Sequence, residues 1–464
     1  MESQLFDVVI IGGGPGGYGA ALYGASAGLS IAVVEKDKVG GTCLHRGCIP
    51  AKEFLESAAV YRTVENAKEF GITSSTPSID FSVTQDRKQK VVEQLWRGLS
   101  GLMKGRKIEI IEATATYVSD GNVKLSNGET ISGTNVILAS GSVPRTIPGF
   151  EIDGEVIITS DEVLSMTKLP SSVAIIGGGA IGCEFASMMS DLGVNVTIIE
   201  ALPTLLAGCD KDVVDVVARS FRKRGISTYT GAFVHGCKRE EYGATVYFGD
   251  EQSVHVDAVI MSIGRKPYID GLLGPDSGVS IDEKGFVQVN STMETTAPGV
   301  FAIGDLVASP ALAHVGFAEA IVAVKKILGE LVVPVDYLNV PWCIYTHPEV
   351  AFVGLTEEAA KNAGYEIVVK KDPFGGNSRA RIIGETEGLV KVIAEKLPNG
   401  RAGKILGVHM AGPWVTEQLG AGYLAVNWEA TPEDVAQFIQ PHPTLSEAFG
   451  ETVLALTGRG LHVG

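Results

Sequence analysis

The chain has 464 residues, 45% of them hydrophobic, with 57 glycines, six cysteines and a formal charge of -16. At about 150 residues per domain, this length predicts about three domains with sizeable cores. The acidic balance is a poor match to nucleic acid, whose binders present basic patches. The glycines follow no Gly-X-Y period, and the cysteines are too sparse for a disulfide-stapled secreted scaffold.

Residues 5–11 are mostly apolar but run directly into a glycine loop, without a basic region or a cleavage site before it. No uncharged apolar run is long enough to span a bilayer. The expected setting is the cytoplasm, or an organelle matrix if a leader was removed, with neither membrane nor nucleic acid as partner.

The first predicted element is a buried parallel strand from Leu5 to Ile11, interrupted once by Asp7. It ends on Gly12, Gly14 and Gly17. A helical stretch follows to about Ala27, and then a second strand from Ser30 to Val34 ending at Glu35. In this order each part has a chemical reason. Gly12 permits a tight turn, Gly14 lets the backbone approach a pyrophosphate, and Gly17 lets helix and strand pack closely. The helix N-terminus stabilises phosphate charge, and Glu35 can accept hydrogen bonds from a ribose hydroxyl.

Just beyond lies Gly40-Gly41-Thr42-Cys43-Leu44-His45-Arg46-Gly47-Cys48-Ile49-Pro50-Ala51-Lys52. Cys43 and Cys48 are spaced slightly wider than an i,i+4 helical pair. One distorted turn at the start of a long helix could bring the sulfurs together. Zinc would need two further ligands, and none cluster nearby. A pair that opens and closes a disulfide is the better account, with a helix N-terminus and Lys52 stabilising thiolate. The other cysteines (Cys183, Cys209, Cys237 and Cys343) are dispersed and read as buried small hydrophobes.

Residues 106–147 alternate strand-like segments with turns at Asp120-Gly121-Asn122 and Asn127-Gly128. Strand Val136–Leu138 leads to Gly141, which is assigned to the first nucleotide. The nucleotide pattern then recurs: strand Val173–Ile176, Gly177, Gly179 and Gly182, a helix through Glu184, and strand Val194–Ile199 ending at Glu200. Two copies point to two dinucleotides with electrons passing between them. Glu200 would repel a 2′-phosphate, and no arginine follows it closely, so NAD is favoured over NADP. This unit ends near Val259 to Gly264, and Gly264 is assigned to its cofactor.

Val300 to Ile303 is a further short strand, and Asp305 after it suits the ligand-binding edge of a parallel sheet. From about residue 341 the composition changes. Strands near 366–370, 389–395 and 405–410 alternate with helices at 356–363, 415–429 and 432–438, as in a separate α+β domain. Near the end, His442-Pro443-Thr444-Leu445-Ser446-Glu447 supplies a base of near-neutral pKa and a carboxylate able to orient its ring.

Taken together, the cysteine segment and both nucleotide units resemble the pyridine nucleotide–disulfide oxidoreductases over the whole chain. The resemblance implies an α/β fold of two Rossmann-like dinucleotide-binding domains, glutathione reductase-like, plus a C-terminal α+β dimerisation domain. The expected boundaries are 1–147 for an FAD-binding domain, 148–270 for an NAD-binding domain, 271–340 for a central domain completing the FAD site, and 341–464 for the interface domain. It implies FAD in the first unit and NAD in the second. It makes Cys48 the thiolate beside the flavin and Cys43 the thiol that meets the substrate. It pairs Lys52 with Glu184 near the flavin, and sets Asp305 on the ribityl chain. It also puts Ala313 at the head of the helix beside FAD, a segment whose usual closing glycine is Ala320 here. Finally it implies a homodimer in which His442, with Glu447, serves the partner subunit's disulfide.

Within the family, the wording from Cys43 to Lys52 is nearest the branch that oxidises dihydrolipoyl groups with NAD. His45 and Ala51 replace the commoner asparagine and serine. That branch implies partners bearing lipoyl groups on another chain: the acyltransferase (E2) of 2-oxoacid dehydrogenase complexes, or the glycine cleavage H protein. The alternative is an NAD(P)H-dependent reductase of a low-molecular-weight disulfide such as mycothione or glutathione.

Overall fold

Strand Leu5–Ile11 is buried without a break from Val8 to Ile11, as a parallel strand covered on both faces must be. A computed structural model describes residues 5–462. The strand pairs in parallel with Ile31–Glu35 on one side and with Thr130–Leu138 on the other. The sheet has seven strands, extended beyond Ile31–Glu35 by Glu109–Glu112. Strand Thr130–Leu138 is divided in use. Its first part pairs antiparallel with Asn122–Leu125, whereas Val136 to Leu138 pair in parallel with Val300–Ala302. That last pairing returns the chain to the first sheet after the whole second nucleotide unit, and it sets Asp305 at the sheet's C-terminal edge.

The second unit is a parallel five-stranded sheet ordered Ser227–Thr230, Asn195–Glu200, Ser172–Ile176, Ala258–Met261, Ile157–Ile158. A three-stranded antiparallel sheet spanning Val234–Val256 lies between its elements, a segment for which no strands were expected. Two short antiparallel strands, Ser142–Pro144 and Arg265–Pro267, join the two units.

The C-terminal domain is an antiparallel sheet ordered Trp342–Ile344, Glu349–Gly354, Ala402–Gly412, Leu389–Lys396, Ile367–Pro373. The three expected strands are present and longer than expected, while the two at 342–354 carry no clear sequence signal. Residues 53–105, given no element from sequence beyond the start of the redox helix, form the rest of helix Cys48–Glu65 and the long helix Phe81–Gly105, whose first turn is capped by Asp80. Among the described residues, no helix is long and apolar enough to cross a membrane.

One hydrophobic core crosses all three parts. It joins Phe54 of the redox helix, Phe185, Met189 and Phe221 of the second unit, and Ile344 and Val350 of the C-terminal sheet. Ionic locks reinforce it. Arg62 and Arg224 both bind Asp191, and Arg224 also donates to the His347 carbonyl at 2.9 Å. Lys391, 1% exposed, reaches Asp210 at 2.8 Å, Asp212 at 2.7 Å and Glu357 at 2.8 Å. The lock thus fixes the C-terminal sheet against helix Lys211–Lys223 of the second unit.

Burial alone would raise the Asp210 carboxyl, but hydrogen bonds from Lys391 and the Glu357 amide hold it below its usual range. Lys361 and Lys391 bring Glu357 down to about 2. Removing the cation should leave the buried Asp210 without a cationic partner, while Asp212 keeps Lys371 and Glu357 keeps Lys361. Lys391→Met should therefore destabilise the protein by roughly 3–5 kcal/mol in denaturant titration near pH 7. Carboxyls held low in the folded state contribute above their unfolded pKa of about 4 and lose that contribution as pH falls through the folded value. The gap between wild type and variant should accordingly narrow as pH falls from about 4.5 toward 2.

Candidate active site

The two glycine loops have the same stereochemistry. Gly12 and Gly177 adopt φ of +106° and +107°, and a Cβ on either would lie 2.3 Å or 2.5 Å from a carbonyl oxygen of the neighbouring strand end. A Cβ on Gly17 would lie 1.8 Å from the Gly12 oxygen, and one on Gly182 would lie 2.0 Å from the Gly177 oxygen. These two positions let helix and strand touch. Gly14 and Gly179 differ: the nearest atom to a Cβ on Gly14 is 3.9 Å away, and nothing lies within 4 Å of one on Gly179. Their missing side chains leave room at the helix N-terminus for a phosphate group.

Both acids are tied back to their own loop. Glu35 accepts from the Gly13 amide at 2.7 Å and the Asp37 amide at 3.0 Å. Glu200 accepts from the Gly178 amide at 2.5 Å and the Leu202 amide at 2.7 Å. A carboxylate has about four lone-pair sites, so each keeps capacity for ribose hydroxyls while its orientation is fixed.

Helix Gly41–Arg46 carries Cys43, and helix Cys48–Glu65 starts at Cys48. Gly47 between them breaks the helix with φ -151° and ψ -110°. This break supplies the distorted turn that the spacing requires. His45, between the cysteines, is held by the Val39 carbonyl at 2.9 Å. Both thiols are half-buried, and Cys43 hydrogen-bonds to the Cys48 sulfur. That bond raises the Cys43 thiol and lowers Cys48 to about 7. Burial opposes the lowering, while the Lys52 charge and the backbone N–H at the helix start support it. The same anionic pocket, after burial, pushes the Tyr18 phenol up to about 12.

Lys52 binds Glu184 through both carboxylate oxygens, at 2.8 Å and 3.0 Å. Their side chains are 35% and 8% exposed. Asp305 accepts from the Ser142 hydroxyl at 2.5 Å, and Arg265 grips Ser142 through its hydroxyl and its carbonyl, each at 2.7 Å. Ala313 opens helix Ala313–Ile327. Gly141 and Gly264 precede the paired connector strands, and their carbonyls accept from the amides of Tyr268 and Arg145 at 2.9 Å and 3.0 Å. All of these residues except Arg145 line one cleft of about 1050 Å³ together with Gly12, Gly14, Gly177, Gly179, Glu35 and Glu200. Gly17 and Gly182 stand behind it as packing glycines.

Sequence reasoning missed Trp342, Cys343 and Arg265 in the cleft wall and Tyr345 beside Lys52. None has a local motif; only the C-terminal sheet's approach to the redox helix brings three of them there. The expectation of four buried dispersed thiols is corrected. Cys183 is buried, but Cys209, Cys237 and Cys343 are only partly so. Cys343 lines the cleft because its strand is the edge of the C-terminal sheet, and partial burial still raises its thiol to about 11.

His442 is not in this cleft. Its Nδ1 lies 2.8 Å from Glu447 Oε1, and the other Glu447 oxygen accepts from the Thr444 amide at 2.7 Å. The imidazole is 68% exposed on the C-terminal domain. One chain therefore brings the cysteines, Lys52 and both glycine loops together, but not the base.

Residues 6–320 match the pyridine nucleotide-disulphide oxidoreductase family, and residues 340–453 match its dimerisation domain. The chain belongs to this family. Similar curated proteins are a dihydrolipoyl dehydrogenase of Bacillus subtilis, 41% identical over 98% of this chain and 99% of its own, and one of Thermus scotoductus, 37% identical over 99% of each. Among solved structures, LpdA of Mycobacterium tuberculosis superposes with a TM-score of 0.90 at 25% identity, covering 98% and 99% of the two chains. The HOCl-induced flavoprotein disulfide reductase RclA of Escherichia coli gives 0.88 at 26% identity, covering 98% and 100%.

As a member of the family, the chain is an oxidoreductase working through FAD and NAD. The cleft fits that demand. Both glycine loops line it, each loop keeps open space at its helix N-terminus, and the cysteine pair lines it as well. In the reduced protein, Cys48 should titrate with a midpoint of about 7, reactive above it and protonated below. Lys52→Gln should raise that midpoint by about one unit or more, since it removes the cation and leaves Glu184 facing the sulfur. The pH dependence of thiol alkylation, with mass-spectrometric assignment to Cys48, measures this.

Proposed function

We propose that the chain is a dihydrolipoyl dehydrogenase, oxidising dihydrolipoyl groups carried by another protein and passing the electrons to NAD+. The observation that carries the proposal is the cleft lined at once by two dinucleotide loops, a polarised cysteine pair and its lysine–glutamate partners. Full-length similarity to dihydrolipoyl dehydrogenases supports the substrate. Residues 1–147 are assigned to FAD, 148–270 to NAD, 271–340 to completing the FAD site and 341–464 to dimerisation. The bacterial relatives fit a cytoplasmic setting.

In this reading a substrate thiolate attacks Cys43 of the Cys43–Cys48 disulfide. The S–S bond breaks, Cys48 leaves as thiolate, and a mixed disulfide joins Cys43 to the substrate. The second substrate thiol attacks its own linked sulfur, closing the lipoyl disulfide and freeing Cys43. His442 of the second subunit accepts the substrate proton, and Glu447 holds its ring and stabilises the imidazolium. Lys52 stabilises the Cys48 thiolate, with Glu184 fixing the ammonium. Gly12, Gly14, Gly17, Glu35, Gly141, Asp305 and Ala313 hold the FAD; Gly177, Gly179, Gly182, Glu200 and Gly264 hold the NAD. When bound, FAD carries the electron pair from thiol to nicotinamide. The lipoyl partners are the acyltransferase (E2) of 2-oxoacid dehydrogenase complexes or the glycine cleavage H protein.

Anaerobic stopped-flow mixing of purified holoenzyme with dihydrolipoamide and then NAD+ tests the substrate. Rapid appearance of a long-wavelength thiolate–flavin absorbance, followed by NADH formation at turnover rates, is expected. Reduction by NADH with only sluggish reaction toward dihydrolipoamide would sink the lipoyl assignment and favour a low-molecular-weight disulfide.

The shared site has its own test. Cys48→Ser and His442→Gln homodimers should each lose at least about a hundredfold in turnover. Unfolded, mixed and refolded together in equal amounts, they should recover about a quarter of wild-type activity. Random pairing makes half the dimers mixed, and each mixed dimer holds one intact site of two. No recovery, with mixed dimers shown by mass spectrometry, would place the base within its own chain.

A further inference from the structure

We propose that Tyr345 is a positioning residue for the redox centre, its aromatic face holding the Lys52 ammonium between Glu184 and the Cys48 sulfur. The inference rests on the reading of Cys48 as the thiolate that faces the flavin. Three observations carry it.

First, the Lys52 nitrogen lies 4.8 Å from the centroid of the Tyr345 ring while both oxygens of Glu184 bind it. An ammonium over a ring face is attracted by the quadrupole, and more strongly where water is partly excluded. Burial alone would lower the Lys52 pKa, but Glu184, Cys48 and Tyr345 together hold it above its usual value, so it stays charged.

Second, Tyr345 cannot drift. Its amide donates to Glu184 Oε1 at 2.9 Å, the very oxygen that Lys52 binds. Two residues on, the His347 amide donates to the Ser187 hydroxyl at 2.9 Å. Glu184 and Ser187 lie one turn apart on helix Ala180–Asp191, so the turn after strand Trp342–Ile344 is fastened to the second nucleotide unit at two points. The phenol is further held by Thr416, which donates to Glu349 through its hydroxyl at 2.7 Å and its amide at 3.1 Å.

Third, the charge held there acts on Cys48. The groups facing that sulfur are Cys43, Lys52, Glu184 and Tyr18, with Cys43 and Lys52 favouring its thiolate and Glu184 opposing it. The groups facing Lys52 are Glu184, Cys48, Cys43, Tyr345 and Cys343. In the proposed dimer the second subunit's His442 approaches Cys43. Lys52 is the one cation of its own chain in this set. Without a ring beneath it, it can swing toward solvent or toward Glu184 alone, and its field at Cys48 weakens.

The experiment is a pH titration of the long-wavelength thiolate–flavin absorbance in two-electron-reduced holoenzyme. Tyr345→Phe keeps the ring and loses only the hydroxyl, so its midpoint should stay within about 0.2 unit of wild type. Tyr345→Met keeps bulk and loses the ring, and its midpoint should rise by about half a unit or more. Where Tyr345→Met does not retain flavin, phenylalanine analogues bearing increasing numbers of ring fluorines at position 345 provide the same test with shape preserved. Each added fluorine should raise the midpoint stepwise. A midpoint unchanged in Tyr345→Met and along the fluorine series overturns the proposal. So does Tyr345→Phe shifting as far as Tyr345→Met, which would assign the effect to the Thr416 link. No such absorbance in the wild type defeats the reading of Cys48 itself, a distinct result from a wild-type band that does not move in the variants.

Discussion

The bond between Lys52 and Glu184 is the contact on which the site's geometry depends. Lys52 belongs to the helix that begins with Cys48, Glu184 to the helix that begins at the second glycine loop, and Tyr345 of the C-terminal domain donates its amide to the same carboxylate. Three separately wound parts of the chain therefore meet at one charge pair beside the reactive sulfur. A cation and an anion placed this close, half out of water, demand fixed partners, because each would cost free energy if left alone. The shared core around Phe54, Phe185 and Ile344 supplies the rigidity.

Around that junction, asymmetry between two similar thiols follows from position alone. Cys48 sits at a helix start with Lys52 one turn away, so negative charge there is favoured; Cys43 donates to it and keeps its proton. A disulfide opened in this setting releases the sulfur that is the better anion and leaves its neighbour free to attack. The glycine loops treat their ligands in the same economical way. Steric exclusion fixes the loop, a carboxylate fastens the loop's own amide, and the remaining lone pairs face outward.

The base stands apart for a physical reason as well. His442 and Glu447 are built on the C-terminal domain, paired with each other and exposed, while the cysteines open into a cleft lined by the other domains and the edge strand at Trp342. A proton acceptor that must reach a substrate thiol is useful only where the substrate enters. An exposed pair on a dimerisation domain is suited to serve a neighbouring subunit.

Local chemistry made much of this readable from sequence. The two glycine loops with their acids, Cys43 and Cys48, and His442 with Glu447 announce themselves because phosphate approach, thiol exchange and ring orientation each need particular residues at short spacings. The runs of β-branched residues likewise identify the parallel strands. Tyr345, Arg265, Ser142 and Cys343 were not readable, since their partners lie tens to hundreds of residues away and no spacing rule links them. The same holds for Lys391, an ordinary strand residue until folding surrounds it with Asp210, Asp212 and Glu357. Residue identity and short spacing mark which groups can bind dinucleotides and exchange thiols. Their meeting in one cleft, and the physical reason that Cys48 is the better anion, come from folding, because both depend on desolvation and on distances between elements that the chain order does not specify.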